Sequence, residues 1–159
     1  MMCLHTCGKA LGASGALVCA SAPVIEFLVN RSRPFIYSTA PSPLMAVAVR
    51  AAIAVLRREP ERRALLLDLV ESTNRSILER CGVPASGSQI LPVIVGTSAR
   101  AMQLALQMRS RGFDIRGIRP PTVPEGTARL RISLTLNVDR ASAQAMVQAL
   151  AEELQRLGT

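Results

Sequence analysis

The sequence predicts an α/β domain in which helices cover one face of a small β-sheet. Three observations support this fold class. Apolar residues recur at helical spacing in several segments, residues 128–136 alternate apolar and polar side chains as a half-buried strand does, and prolines and glycines separate these segments. The chain has 159 residues, of which 49% are hydrophobic, and this is enough to build a core in one domain of ordinary size.

The first 60 residues are predicted to form one strand and two helices joined by an extended segment. "GALVCA" is apolar without alternation, as in a buried strand, and Ser21 followed by Pro23 is typical of a helix start. Three prolines within ten residues disfavour a helix in "PFIYSTAPSP". The expected elements are a strand at 15–20, a helix at 23–32, an extended segment at 34–43 and a helix at 43–58.

The remaining residues are predicted to form a helix and then a strand–helix–strand–strand–helix unit. Pro92 indicates an edge strand or a bulge, because proline has no N–H to donate to a sheet ladder. The helix at 61–80 has an apolar face made of Leu66, Leu69, Val70, Ile77 and Leu78. The other expected elements are a strand at 89–95, a helix at 98–111, a strand at 113–119, a loop at 120–127, a strand at 128–136 and a helix from Asp139.

Charge and composition disfavour several classes of partner. A net charge of +8 suggests nucleic-acid binding, but the arginines are scattered and only four residues are aromatic, so bases have little to stack on. No apolar run approaches the ~20 residues that a membrane-spanning helix needs. The four cysteines lack the spacing of a zinc site, and unpaired thiols suit a reducing cytosol. We therefore expect a cytoplasmic protein with no nucleic acid, membrane or metal.

The first 22 residues allow a second interpretation. They contain a lysine, an apolar stretch and "ASA", which together resemble a secretory signal peptide and its cleavage site. Gly12 and Gly15 interrupt the apolar stretch, and the cation lies deep in the segment at position 9. We favour a segment of the folded protein and keep the signal peptide as the alternative.

Lys9 is a candidate Schiff-base residue. It is the only lysine among 19 cationic residues, and lysine can form an imine with an aldehyde whereas arginine cannot. Gly8 and Gly12 remove bulk around the amine, and the Thr6 hydroxyl is suited to a phosphate oxygen. A phosphate-binding P-loop is rejected, because Cys3 stands where its first glycine is needed and no Ser or Thr follows the lysine.

Arg119 is a candidate carboxylate-binding residue. It precedes two prolines and Thr122, and the rigid backbone suits a guanidinium group that binds a carboxylate in a bidentate way. A solvated loop arginine is the alternative. Arg129 and Arg131 fall on the polar side of the strand at 128–136, and we interpret them as structural or solvated.

Three segments carry a resemblance to a known enzyme family. In order along the chain they are "HTCGKALGASGALVCA", "RPFIYSTAPSP" and "IRPPTVPEGTARLRISLT". Together they resemble the C-terminal portion of the 8-amino-7-oxononanoate synthases, which belong to the α-oxoamine synthases. The resemblance implies the fold-type I, aspartate-aminotransferase-like fold of enzymes that use pyridoxal 5'-phosphate (PLP). It also implies that residues 1–42 are a remnant of the large PLP-binding domain and that residues 43–159 form the small α/β domain.

The resemblance assigns roles to six residues. Lys9 would hold PLP covalently, and Thr6 would bind the cofactor phosphate. Ser38 and Thr39 match a segment that reaches this phosphate across a homodimer interface. Arg119 matches the arginine that binds the amino-acid carboxylate, with Thr122 as its neighbour at the substrate.

The implied reaction is a decarboxylative condensation of L-alanine with pimeloyl-CoA or a pimeloyl-acyl carrier protein, a step of biotin biosynthesis. Only eight residues precede Lys9 and none is acidic, although a PLP enzyme of this class needs an acidic partner for the pyridine nitrogen. We therefore expect a truncated chain that is inactive alone. The alternatives are a non-catalytic dimerising module and another α-oxoamine synthase that resembles glycine C-acetyltransferase.

Overall fold

The computed structural model describes residues 1–84 and 86–158. It divides the chain into two compact units, Met1–Pro60 and a second unit that begins at Glu61. The domain boundary at 42/43 that the resemblance implies stays a prediction. Within the described residues, no helix has both the length and the apolar character needed to cross a bilayer.

The first unit consists of a β-hairpin and three helices. Strand β1 pairs with β2 in antiparallel register, so that Cys3 lies opposite Cys19 and Thr6 opposite Ala16. The helix predicted at 43–58 is confirmed with the same bounds, and Ser42 is its N-cap. The bounds are β1 Cys3–Thr6, β2 Ala16–Cys19, α1 Ala22–Arg31, α2 Arg33–Ile36 and α3 Pro43–Arg58.

Two sequence expectations for this unit are wrong. The strand predicted to be buried is exposed, with Leu17 37% and Val18 44% accessible, because β1 is the only strand that pairs with it among the described residues. The segment predicted to be wholly extended begins with the short helix α2. Pro34 fits there because the first turn of a helix leaves its N–H groups unpaired.

The second unit has a three-stranded antiparallel sheet in the order β3-β5-β4 and three helices. Pro92 lies in β3, which is an edge strand with a register shift between Ile94 and Gly96, as expected from the proline. The bounds are α4 Glu61–Cys81, β3 Ile90–Gly96, α5 Ser98–Ser110, β4 Arg116–Ile118, β5 Ala128–Ser133 and α6 Arg140–Arg156.

The core of the second unit lies on one face of this sheet. Alternate strand residues are buried, and they form one cluster with apolar residues of α4, α5 and α6. The strand residues of the cluster are Leu91, Val93, Val95, Leu130, Ile132 and Leu134. The prediction that helices cover one face of a small sheet is therefore confirmed.

Three details of the second unit differ from the expectation. Leu78 is 52% exposed and Leu136 is 42% exposed. The prediction was therefore wrong to include Leu78 in the buried face of α4 and Leu136 in that of the strand at 128–136. Thr73 and Asn74 of α4 are buried instead. The Thr73 hydroxyl is satisfied there, because it donates a hydrogen bond to the Leu69 carbonyl oxygen at 2.7 Å. The strand expected at 113–119 shortens to β4.

We expect Gly117→Ala to destabilise the second unit. A Cβ atom at Gly117 would lie 3.1 Å from both the Ala101 carbonyl oxygen and the Met102 sulfur of α5, so the helix must shift away from β4. Overpacking of this kind costs about 1–3 kcal/mol of unfolding free energy, measurable by urea unfolding followed by circular dichroism. Gly8→Ala is the control, because its nearest contact is an ordinary 3.7 Å. Equal stability of Gly117→Ala and the native chain would contradict the close packing of α5 on β4.

We expect Asp139 to make stability depend on pH at the acid end. Its carboxylate caps α6 and accepts a hydrogen bond from the Ser142 N–H at 2.7 Å. The hydroxyl and the backbone N–H of Ser142, in that order, lower the pKa of Asp139 below its ordinary value of 3.8. A lowered folded-state pKa stabilises the protein above the unfolded-state pKa, and the contribution is lost as pH falls through the folded-state pKa. The difference in Tm between the native chain and Asp139→Ala should therefore be largest at neutral pH and shrink below pH ~4. A difference that is constant with pH contradicts this assignment.

Candidate cofactor and substrate sites

Lys9 lies in the tight loop that closes the β1–β2 hairpin. The Cys7 N–H donates to the Gly15 carbonyl oxygen at 2.9 Å, and the Gly12 N–H donates to the Lys9 carbonyl oxygen at 3.0 Å. Gly12 has a φ of +60°, which favours glycine at this turn. The Cys7 side chain is only 1% exposed and anchors the loop, while Lys9 itself is exposed. The loop therefore fixes the backbone on both sides of an accessible amine.

Thr6 belongs to the same hairpin as Lys9. It is the last residue of β1 and its side chain is exposed. Among the hydrogen bonds of the described residues, none involves the Thr6 hydroxyl, so this group is available for a ligand. An amine and a hydroxyl three residues apart on one hairpin can bind an aldehyde and an anionic oxygen.

Ser38 and Thr39 follow α2 in the first unit. The Ser38 hydroxyl donates a hydrogen bond to the Pro34 carbonyl oxygen, and so it closes the end of that helix. Both side chains are exposed. Among the described residues, no hydrogen bond joins either residue to the loop that carries Lys9.

Arg119 and Thr122 lie in the loop between β4 and β5 of the second unit. The Pro120–Pro121 peptide bond is cis, and the Thr122 N–H donates to the Arg119 carbonyl oxygen at 3.1 Å, which closes a turn. Both side chains are exposed. The turn thus places two polar side chains at the end of the sheet.

A cavity of about 390 Å³ lies on the sheet face that the helices leave open. Thr122 lines it, whereas Arg119 is not among its lining residues. The other lining residues are Ser86, Ser88, Ile90, Pro92, Ile118, Val123, Arg129 and Arg131. The cavity combines an apolar floor with hydroxyl groups and two guanidinium groups.

Arg129 and Arg131 are functional candidates that the sequence analysis missed. The Arg129 Nε donates to the Thr127 carbonyl oxygen at 3.0 Å, and this contact orients the side chain. Within residues 1–84 and 86–158, neither guanidinium group forms an ion pair with a carboxylate, and the same holds for Arg119. Because Arg129 and Arg131 alternate with buried residues of β5, the strand pattern predicted that they share its polar face, but only the fold shows that this face lines a cavity with Thr122.

Other arginines of the second unit are held by carboxylates. Arg111 pairs with Glu152 at 2.6 Å and with Glu153 at 3.1 Å, and Arg156 contacts Glu153 at 3.0 Å. Hydrogen bonds from Gln148 and then Arg111 lower the pKa of Glu152. Arg129 and Arg131 differ from these arginines, because they line the cavity and have no carboxylate partner among the described residues, and so they can bind an anion there.

Metal binding has no comparable candidate. Among the residues that the structure describes, no group of three or more His, Cys, Asp or Glu side chains is arranged to hold a metal ion.

The chain is similar in sequence to curated 8-amino-7-oxononanoate synthases. It is 45% identical to that of Anaeromyxobacter dehalogenans (strain 2CP-C) over 95% of this chain, and 41% identical to that of Methylobacterium radiotolerans over 93%. The same alignments cover 38% of each relative, so the chain spans little more than a third of their length. The predicted resemblance to this group is confirmed.

Solved structures show the same fold. The serine palmitoyltransferase of Sphingomonas wittichii matches 99% of this chain and 40% of its own with a TM-score of 0.88 at 21% identity. The 8-amino-7-oxononanoate synthase of Francisella tularensis matches all of this chain (100%) and 47% of its own chain, with a TM-score of 0.80 at 24% identity. A serine palmitoyltransferase solved with its PLP internal aldimine matches with a TM-score of 0.83 at 22% identity, over 99% of this chain and 40% of its own. The expected fold-type I class is confirmed.

The model of the family described as aminotransferase class I and II matches residues 1–150. This match includes the Lys9 loop, the Arg119 loop and every strand of both sheets. The chain therefore belongs to the aminotransferase class I and II family.

Proposed function

We propose that this chain supplies the Schiff-base lysine and part of the substrate site of an 8-amino-7-oxononanoate synthase. The observation that carries the proposal is the exposed Lys9, the only lysine of the chain, on a glycine turn three residues after Thr6, which is also exposed. The proposed reaction is the decarboxylative condensation of L-alanine with a pimeloyl thioester, carried by CoA or by acyl carrier protein. The names of the curated relatives support this reaction.

The residues of the hairpin fit PLP. An accessible primary amine suits its aldehyde, and an unbonded hydroxyl suits its phosphate. A Cβ atom at Gly8 would meet nothing closer than 3.7 Å, so the backbone beside Lys9 leaves room for a flat ring. Ser38 and Thr39 would add hydroxyl groups to the phosphate from the partner copy of a homodimer. PLP, when bound, supplies an electron sink for negative charge at the amino-acid α carbon.

The side chains of this chain then have distinct tasks. The Lys9 amine would hold the cofactor aldehyde and, when free, would carry a proton to and from the α carbon of alanine. A guanidinium group orients the alanine carboxylate through a bidentate pair. Arg119 is one candidate for this task, from its sequence motif. Arg131 is a second, because it lines the cavity beside Thr122 and has no carboxylate partner among the described residues.

A chimera tests this function in a complete enzyme. Residues 1–159 replace the matching segment of the Anaeromyxobacter dehalogenans synthase, and product is measured by mass spectrometry with PLP, L-alanine and pimeloyl-CoA. We expect 8-amino-7-oxononanoate, with L-alanine preferred over glycine and L-serine. The 159-residue chain alone is expected to give no product, since it spans 38% of that relative.

Two results of the chimera experiment would contradict the proposal. A folded chimera that binds PLP and prefers glycine and acetyl-CoA would assign the chain to another α-oxoamine synthase. Robust turnover by the 159-residue chain alone would contradict the expectation that the rest of the relative's length is needed. Absorbance of the bound cofactor reports whether the chimera has folded around PLP.

A non-catalytic dimerising module is the second candidate. The helices of the first unit expose large apolar side chains, with Phe27 64%, Phe35 64% and Leu44 72% accessible, as expected of a surface that a partner covers. In this alternative the chain associates with a second copy and Lys9 has no selectivity for PLP. The site of cofactor labelling separates the two candidates.

A further inference from the structure

We propose that Cys3 and Cys19 form a redox-modification site, a cross-strand dithiol that a hydroperoxide converts to a disulfide. The inference rests on the register of the hairpin and on the exposure of the two thiols. It does not depend on the proposed function.

The register places the two cysteines directly opposite each other. Cys3 of β1 and Cys19 of β2 are partners in the antiparallel ladder. Partner residues of such a ladder have Cα atoms about 4.5–5.5 Å apart and side chains on the same face of the sheet. Disulfides bridge Cα separations of roughly 4.4–6.8 Å, so the spacing of ladder partners is compatible with this bond.

The other two cysteines have no such partner. Cys7 lies on the same hairpin but faces Gly15, with which it shares a backbone hydrogen bond, and its side chain is 1% exposed. Cys81 belongs to the second unit, at the end of α4. The hairpin therefore selects one pair among the four thiols.

Both members of the pair are accessible to a small oxidant. Cys19 is exposed and Cys3 is partly exposed, and both are free thiols. They lie at the open end of the hairpin, where the strands begin and end, while Lys9 lies at the closed end. A disulfide here would enclose residues 3–19, and with them the Lys9 loop, in a covalent ring.

The chemistry needs one equivalent of an organic hydroperoxide. A thiolate sulfur attacks the peroxide oxygen, the O–O bond breaks, and a sulfenic acid and an alcohol form. The opposite thiol then attacks the sulfenic sulfur, which forms the S–S bond and releases water. Two thiols are oxidised, the hydroperoxide is reduced, and the products are one disulfide, one alcohol and one water.

The test oxidises the 159-residue chain with tert-butyl hydroperoxide, once in buffer and once in urea. Free thiols are then alkylated, the chain is digested with trypsin without reduction, and crosslinked peptides are fragmented. Fragmentation is needed because cleavage after Lys9 leaves Cys3 and Cys7 in one peptide. In urea the small ring between Cys3 and Cys7 is favoured by loop closure.

The expected result in buffer is a monomer that has lost two hydrogens, with Cys3–Cys19 as its main crosslink. Amides of β1 and β2 should then exchange more slowly with deuterated water, because the disulfide prevents fraying of the hairpin. The same crosslink distribution in buffer and in urea would overturn the proposal. Mainly intermolecular disulfides, or sulfinic acids without a crosslink, would overturn it as well.

Single variants supply the controls. Cys3→Ser and Cys19→Ser should each abolish the intramolecular crosslink, whereas Cys81→Ser should leave its yield unchanged. Burial raises the pKa of the Cys81 thiol, and the nearby charge of Arg80 has a smaller effect in the opposite direction. The raised pKa makes the reactive thiolate of Cys81 scarcer. A fall in crosslink yield in Cys81→Ser would show that the pairing is not set by the hairpin.

Discussion

The Lys9→Arg variant of the chimera is expected to lose product formation by a factor on the order of 10² to 10⁴ at least, the range for removal of a proton-transfer group. Arginine keeps the positive charge and much of the length of lysine. It stays protonated at neutral pH and forms no imine with an aldehyde, so both tasks proposed for Lys9 fail together. The measurement is kcat from initial rates with saturating L-alanine and pimeloyl-CoA.

The control for this variant is Arg75→Lys in the same chimera. Arg75 is exposed and forms an i,i+4 pair with Glu71 on α4, and lysine can keep that pair. Its kcat should stay within about twofold, since exposed pairs of this kind contribute little. If Lys9→Arg retained the kcat of the parent chimera, Lys9 would not be the residue that holds the cofactor.

Leu104→Ala is expected to cause the largest loss of stability. Leu104 is 0% exposed and lies on α5, in the core cluster of the second unit. Removing three carbon atoms from such a site leaves a cavity and costs about 2–5 kcal/mol of unfolding free energy. Urea unfolding followed by far-UV circular dichroism measures the loss, because the chain has no tryptophan.

Leu106→Ala is the matched control. Leu106 lies two residues further on the same helix, has the same helix propensity, and is 69% exposed. Its loss should change the unfolding free energy by no more than about 0.5 kcal/mol. Comparable losses in both variants would mean that α5 does not pack on the sheet in the orientation described.

The sequence was sufficient for elements whose ends are marked by local chemistry. Pro43 begins α3, and Pro60 separates α3 from α4, because proline acts through the backbone of neighbouring residues alone. Pro92 likewise indicated an edge strand before the sheet order was known. These signals do not depend on what packs against the element.

The sequence failed where structure depends on partners distant along the chain. β1 has only four residues, too few for an alternation to be recognised, and it is defined by its pairing with β2. The exposure of β2 depends on how many strands join its sheet, which no pattern within "GALVCA" encodes. The burial of Thr73 in place of Leu78 on α4 depends on the position of α6.

Of the candidate site residues, some could be recognised from the sequence and others only from the fold. Lys9 could be singled out because its chemistry differs from that of every other cation in the chain. Arg131 could not, because nothing in its local sequence distinguishes it from the paired arginines. Only the fold shows that it lines a cavity with Thr122 and lacks a carboxylate partner among the described residues.

The central claim is that the fold selects the Lys9 amine for an aldehyde cofactor. The most direct measurement incubates the 159-residue chain with limiting PLP, reduces it with borohydride and maps the label. The chain offers only two amines, Lys9 and the N-terminal amine of Met1, and free α-amino groups lose their proton more readily than lysine ammonium groups do. We expect the label predominantly on Lys9, and we expect Thr6→Val to weaken it. A label mainly on Met1, or a label that Thr6→Val leaves unchanged, would contradict the claim that the fold selects Lys9.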